Sequence, residues 1–167
     1  REGQKPEGFL YGTEYTEEQI NQALASEEKL AVIPSVDENG HGTFLAGVAA
    51  GRVAETEAFS GAAPNASLCV VKLKPCKQYL RQFYGLMTGV AAYQENDIMA
   101  GISYCVGKAR QAEMPLIILL GVGTSSGGHT GQSYLSQMVN DVSGFSGVCV
   151  VTAAGNEANT RDRKSVV

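Results

Sequence analysis

No apolar run in the 167 residues approaches the ~20 needed to cross a bilayer, and the longest, Pro115 to Val122, has the length of a buried strand. No run of Lys or Arg exceeds two residues and the formal net charge is -4, so the basic footprint of a nucleic-acid or anionic-membrane binder is missing. Charge is sparse altogether, at 18% against 44% hydrophobic residues, which excludes global disorder and predicts a folded domain with a core. The four cysteines, Cys69, Cys76, Cys105 and Cys149, form no C-x-x-C pair and have no histidine at ligand spacing, which argues against zinc. Cys69 and Cys149 lie inside apolar runs and are expected to be buried free thiols. The opening REGQKPEGF has neither a signal-type apolar region nor an initiator Met, and the natural N-terminus is expected upstream.

Thr16-Glu17-Glu18-Gln19 is a capping box that predicts a short helix to about Leu24. From His41, HGTFLAGVAAG can be helical only if its glycines are packed closely. Ala66 to Leu73 reads as a buried strand after the turn signal Ala63-Pro64-Asn65. Apolar residues recur at helical spacing from Glu95 to about Ala112 and from Ser133 to about Val142. Strands are expected from Pro115 (LIILLGV) and over Gly147 to Ala154. The order strand, helix, strand, helix, strand predicts an α/β fold with a parallel sheet buried on both faces, and function beyond the carboxyl ends of the strands.

Four strings then point to one family. Asp37-x-Asn39-Gly40-His41-Gly42-Thr43 with Phe44-Leu45-Ala46-Gly47 resembles the D-x-x-G-H-G-T-H-V-A-G segment of subtilisin-like serine proteases. Gly61-Ala62-Ala63-Pro64-Asn65-Ala66, with the strand ending Val70-Val71-Lys72-Leu73, resembles G-V-A-P-x-A-x-[LI]-x-x-V-K-V. Leu119-Leu120-Gly121 is similar to the S-L-G strand end, and Val150 to Glu157 to V-V-x-A-A-G-N-E. YGTEYTEEQINQAL, VVKLKPCKQYLRQFYG and AYQENDIMAGI are similar to the clostridial germination proteases of the Csp group, whose extra segment after the second strand matches Lys74 to Tyr93.

The resemblance implies a subtilisin-like three-layer fold, incomplete at both ends, and a serine-type endopeptidase acting on peptide or protein substrates. It divides the chain into an N-terminal loop and helix region (1–36), a partial peptidase domain (37–160) and a tail (161–167) expected to be non-native, since Asp162 to Val167 reads as a translated adapter oligonucleotide. It implies His41 as general base, because a serine hydroxyl needs an imidazole to take its proton, and Asn156 as oxyanion-hole donor. Leu119, Leu120 and Gly121, facing Ala153, Ala154 and Gly155, would wall the substrate pocket, with Leu119 replacing the family's Ser. No cofactor is required; calcium is a family possibility for which no carboxylate cluster stands out. The resemblance suggests secretion or spore association in a Gram-positive bacterium and leaves oligomeric state open.

The orienting Asp and the nucleophilic Ser are not found. Asp37 matches the family's loop Asp and is not promoted to the triad. Gly123-Thr124-Ser125 spells G-T-S, but SGGHTG follows where a helix is needed, so Ser125 is rejected as nucleophile and His129 read as a loop residue. Gly121-x-Gly123 with Gly127 mimics a dinucleotide-binding turn, but the next strand ends Thr152-Ala153-Ala154 and has no acidic residue for a ribose. Both absent residues are expected outside the fragment, which alone should be inert and, with sheet and core faces uncovered, prone to aggregate. The alternative is a catalytically inactive scaffold of the same fold.

Overall fold

The computed structural model describes residues 3–53, 59–124 and 130–155. The elements run α1 (Glu17–Ala25), α2 (Lys29–Val32), α3 (His41–Ala50), α4 (Gln78–Phe83), α5 (Glu95–Gln111), β1 (Leu116–Leu120), α6 (Tyr134–Ser143) and β2 (Val148–Thr152). α1 starts at the predicted capping box: Thr16 Oγ1 accepts from the Gln19 amide and Gln19 Oε1 from the Thr16 amide. α6 is capped by Ser133, whose hydroxyl accepts from the Ser136 amide.

β1 and β2 pair in parallel, from Leu116 opposite Val148 to Leu120 opposite Thr152. Their connection runs through α6, the helical crossover that parallel pairing demands. Alternation then divides the side chains between two faces. Leu116, Ile118 and Leu120 of β1 and Val148 and Val150 of β2 pack with Ile102 and Val106 of α5 and with Leu135, Met138, Val139 and Val142 of α6. The opposite face is open: Ile117 is 71% exposed, and Leu119 and Val151 are exposed too. The expectation of a sheet buried on both faces therefore holds for one face, because both packed helices lie on it.

Ala66 to Leu73 corrects a second expectation. It forms no strand ladder with any described residue, and Leu68 and Val70 are exposed. A strand is defined by its hydrogen-bonding neighbour, and among the described residues β1 and β2 pair only with each other. The segment lies along α5 instead: Cys69 Sγ is 3.8 Å from Cys105 Sγ, and a Cβ at Gly101 would come 3.1 Å from Val71 Cγ1. Alternate residues thus meet positions four apart on one helix face. Cys69 and Cys149, expected to be buried, are exposed, whereas Cys76 is buried. Cys149 sits on the open face of β2, and Cys69 belongs to the segment that no ladder among the described residues covers.

α3 likewise forms without the close packing expected of it, since none of its residues is buried and Phe44 is 66% exposed. Its carboxyl end is held by the returning chain: the amides of Gly61, Ala62 and Ala63 donate to the carbonyls of Gly51, Val48 and Ala49. The segment matched to the extra Csp-type insertion, 74–93, closes on itself. Pro75 and Tyr93 form an antiparallel bridge, the Cys76 amide donates to the Ala92 carbonyl at 2.8 Å, and α4 lies between.

Candidate active site at the carboxyl edge of the sheet

His41 is the first residue of α3, and the turn before it is organised by one carboxylate. Asp37 Oδ1 accepts from the amides of Asn39 (3.1 Å) and Gly40 (2.8 Å). Its Oδ2 accepts from the Thr43 amide (3.0 Å) and hydroxyl (2.6 Å). Gly40, the N-cap, has φ +80°, a conformation open to glycine, and carries no capping side chain. Asp37 supplies that cap from three residues upstream, satisfying the amide of the third helical residue and placing negative charge at the helix's positive end. The Thr43 hydroxyl, followed by the amides of Gly40 and Thr43, holds the Asp37 carboxyl well below the usual carboxylate range. Thr43 carries no role in the sequence reading; its D-x-N-G-H-G-T spacing is the signal that marks it.

The ring of His41 reaches across 80 positions to β1, its Nε2 standing 2.9 Å from the carbonyl oxygen of Gly121. A carbonyl only accepts, so Nε2 is the protonated nitrogen in this arrangement. Gly121 follows the last paired residue of β1, so the imidazole stands at the carboxyl edge of the sheet. Glycine is needed there for close approach: a Cβ at 121 would overlap Leu45 Cδ1 and lie 3.5 Å from His41 Nε2. Leu45 is four residues after His41 on the same helix face, so one turn of α3 docks on one strand end.

The parallel register carries the second strand end to the same edge. Leu119 is opposite Val151 and Leu120 opposite Thr152, so Gly121 and the segment Ala153–Gly155 both leave the sheet there. Ala153, Ala154 and Gly155 are exposed, Leu120 and Gly121 partly buried, and Gly155 has φ +82°. The structure therefore brings His41, Leu119, Leu120, Gly121, Ala153, Ala154 and Gly155 to one edge. Asn156, Ser125 and His129 lie outside the described residues. Among the described residues no three His, Cys, Asp or Glu side chains group as a metal site, and none can be assigned to calcium. Also among them, no helix is long and apolar enough to cross a membrane.

The model of the subtilase family (peptidase S8) matches residues 12–167. Thermitase from Thermoactinomyces vulgaris is 33% identical over 122 residues, which are 73% of this chain and 36% of thermitase. The structure of the Clostridium perfringens CspB protease superposes with a TM-score of 0.73 at 28% identity, covering 87% of this chain and 29% of that one. The chain thus spans about a third of the length of each relative. It has the subtilisin-like fold and the Csp-type likeness that its motifs suggest. With its family model matched over nearly its whole length and His41 set at the carboxyl edge of a parallel sheet, the chain belongs to the subtilase family.

Proposed function

We propose that the chain is part of a serine-type endopeptidase in which His41 is the general base and Asn156 donates to the oxyanion. The observation that carries this reading is the 2.9 Å approach of His41 Nε2 to the Gly121 carbonyl, beside the strand end where an extended peptide would lie. In this reading Leu119 to Gly121 and Ala153 to Gly155 flank the substrate, and Leu119 gives the pocket an apolar wall. The nucleophilic Ser and the orienting Asp come from polypeptide outside these 167 positions. Accepting the Ser proton requires a free lone pair on Nε2, so the ring must release Gly121 and carry its proton on Nδ1, where the orienting carboxylate holds it. The family resemblance suggests secretion or spore association in a Gram-positive bacterium.

Hydrolysis of a fluorogenic peptide by the intact protein tests the assignment. His41→Ala should lower kcat by about 10⁴-fold or more. Asn156→Ala should lower it by ~10²–10³, a magnitude carried over from a related subtilisin. Undiminished turnover in His41→Ala overturns the reading. The second reading is an inactive scaffold of the same fold, in which His41 keeps its Nε2–H bond to the Gly121 carbonyl and takes no proton from a serine. Absence of both hydrolysis and fluorophosphonate labelling in the folded intact protein selects it.

A further inference from the structure

We infer that Cys69 and Cys105 are a redox pair: Cys69 attacks a low-molecular-weight disulfide, and Cys105 resolves the adduct into an intramolecular bond that ties the 66–73 segment to α5. The geometry carries this inference independently of any proteolytic role. The two Sγ atoms lie 3.8 Å apart although 36 positions separate them in sequence. Val71 against Gly101 repeats the contact one helical turn away, so the segment already lies along the helix that a disulfide would fasten it to. Cys69 is exposed to a soluble oxidant and Cys105 is half-buried behind it, the order that attack and resolution need.

The surrounding charges divide the roles. Lys108, one helical turn beyond Cys105, pairs with Glu14, and Glu14 also accepts from the Tyr104 hydroxyl at 3.0 Å. The hydrogen bond from Cys105 lowers the Cys69 thiol to about 7, against burial; Lys108 lowers it further and Glu14 opposes. The same hydrogen bond, with burial second, pushes the Cys105 thiol up. Once Cys69 is capped as a mixed disulfide, the thiolate that raised Cys105 is gone, and Cys105, the remaining thiol of the pair, ionises more readily than before.

Both steps balance. The Cys69 thiolate breaks the RS–SR bond, forms Cys69–S–SR and expels one thiolate; Cys105, losing its proton, attacks Cys69 Sγ and expels the second. Two cysteines lose two electrons and two protons in all, and the small disulfide leaves as two thiols.

The probe is glutathione disulfide, added to the intact protein at pH 7, followed by mass mapping of a non-reduced digest. A Cys69–Cys105 linked peptide is expected, formed without denaturant. Cys105→Ser should instead accumulate glutathione on Cys69, and Cys69→Ser should leave Cys105 unmodified. A thiol near 7 should react about threefold faster at pH 7 than an ordinary exposed thiol, its larger thiolate fraction outweighing its lower nucleophilicity. The inference is overturned if the link appears only in urea, or if glutathione collects on Cys149 in the wild-type protein while Cys69 stays free. Mapping the wild type keeps the test decisive even where a serine variant fails to fold.

Discussion

His41 Nε2 lies 2.9 Å from the carbonyl oxygen of Gly121, and this one hydrogen bond joins the first turn of α3 to the carboxyl end of β1. It fixes a protonation pattern as well as a position. Because the acceptor is a carbonyl, the neutral ring must be the Nε2–H tautomer, leaving Nδ1 as the unprotonated nitrogen. Long-range ¹⁵N–¹³C correlation spectra of the labelled protein should show that tautomer for His41, and Gly121→Ala should weaken its preference. An Nδ1–H tautomer in the unmodified protein would contradict the contact.

Glycine at 121 is a condition of that contact. Ala at this position drives a methyl into Leu45 Cδ1, the mobile end of a side chain. Gly121→Ala should cost about 1–3 kcal/mol in urea unfolding. Leu45→Ala should recover part of this in the double variant, with a coupling energy of at least about 0.5 kcal/mol. Gly61→Ala offers the contrast. Its added carbon meets backbone atoms of Ala50, at 2.8 and 2.9 Å, which no side-chain truncation can remove. Its loss should exceed that of Gly121→Ala and persist in the Leu45→Ala background.

What the sequence discloses and what it conceals divide along a physical line. The Thr16 capping box, the apolar stripes of α5 and α6 and the two apolar strands are local patterns, and each appears where the pattern puts it. Ala66 to Leu73 has the same strand-like composition and forms no ladder with any described residue, because a hydrogen-bonding neighbour is supplied by the rest of the fold. Burial is just as non-local: Val150 and Cys149 are adjacent in one apolar run, yet one packs on the core and the other faces outward. At the site, the D-x-N-G-H-G-T string marks Asp37 and His41, but the meeting of His41 with Gly121 joins positions 80 apart that no spacing rule connects. Leu45 passes as one more apolar helix residue until the strand end is seen against it.

The end of α5 contains a correctable strain. Glu113 has φ +53°, the only non-glycine residue in the left-handed region among the described residues. It is held there by a Schellman motif, with the Met114 amide on the Ala109 carbonyl (3.0 Å) and the Glu113 amide on that of Arg110 (3.2 Å). Pro115 follows and ends the helix. Glu113→Gly should relieve the Cβ penalty and raise stability by about 1 kcal/mol, read as a higher urea midpoint at unchanged m-value. A lower midpoint would show that the Glu113 side chain contributes more than its backbone costs.

Asp37 makes the turn before His41 dependent on acid in a definite direction. The carboxyl is held below its ordinary value of 3.8, first by the Thr43 hydroxyl and then by backbone amides, so the folded state binds its proton less readily than the unfolded chain. A lowered folded value means that the stabilisation is complete above the unfolded value and is lost as pH falls through the folded one. Asn at 37 keeps one acceptor oxygen but presents an amide group toward the two Thr43 donors. Asp37→Asn should therefore lower Tm by a constant amount from pH 5 to pH 8, and the gap to the unmodified protein should shrink below pH 3.8. Thr43→Val, which removes the hydroxyl and keeps the amide, should give a smaller gap with the same pH dependence. A gap that instead widened on acidification would mean that the carboxyl is not held as an anion by this turn, and α3 would need another explanation for how its first residue is aimed.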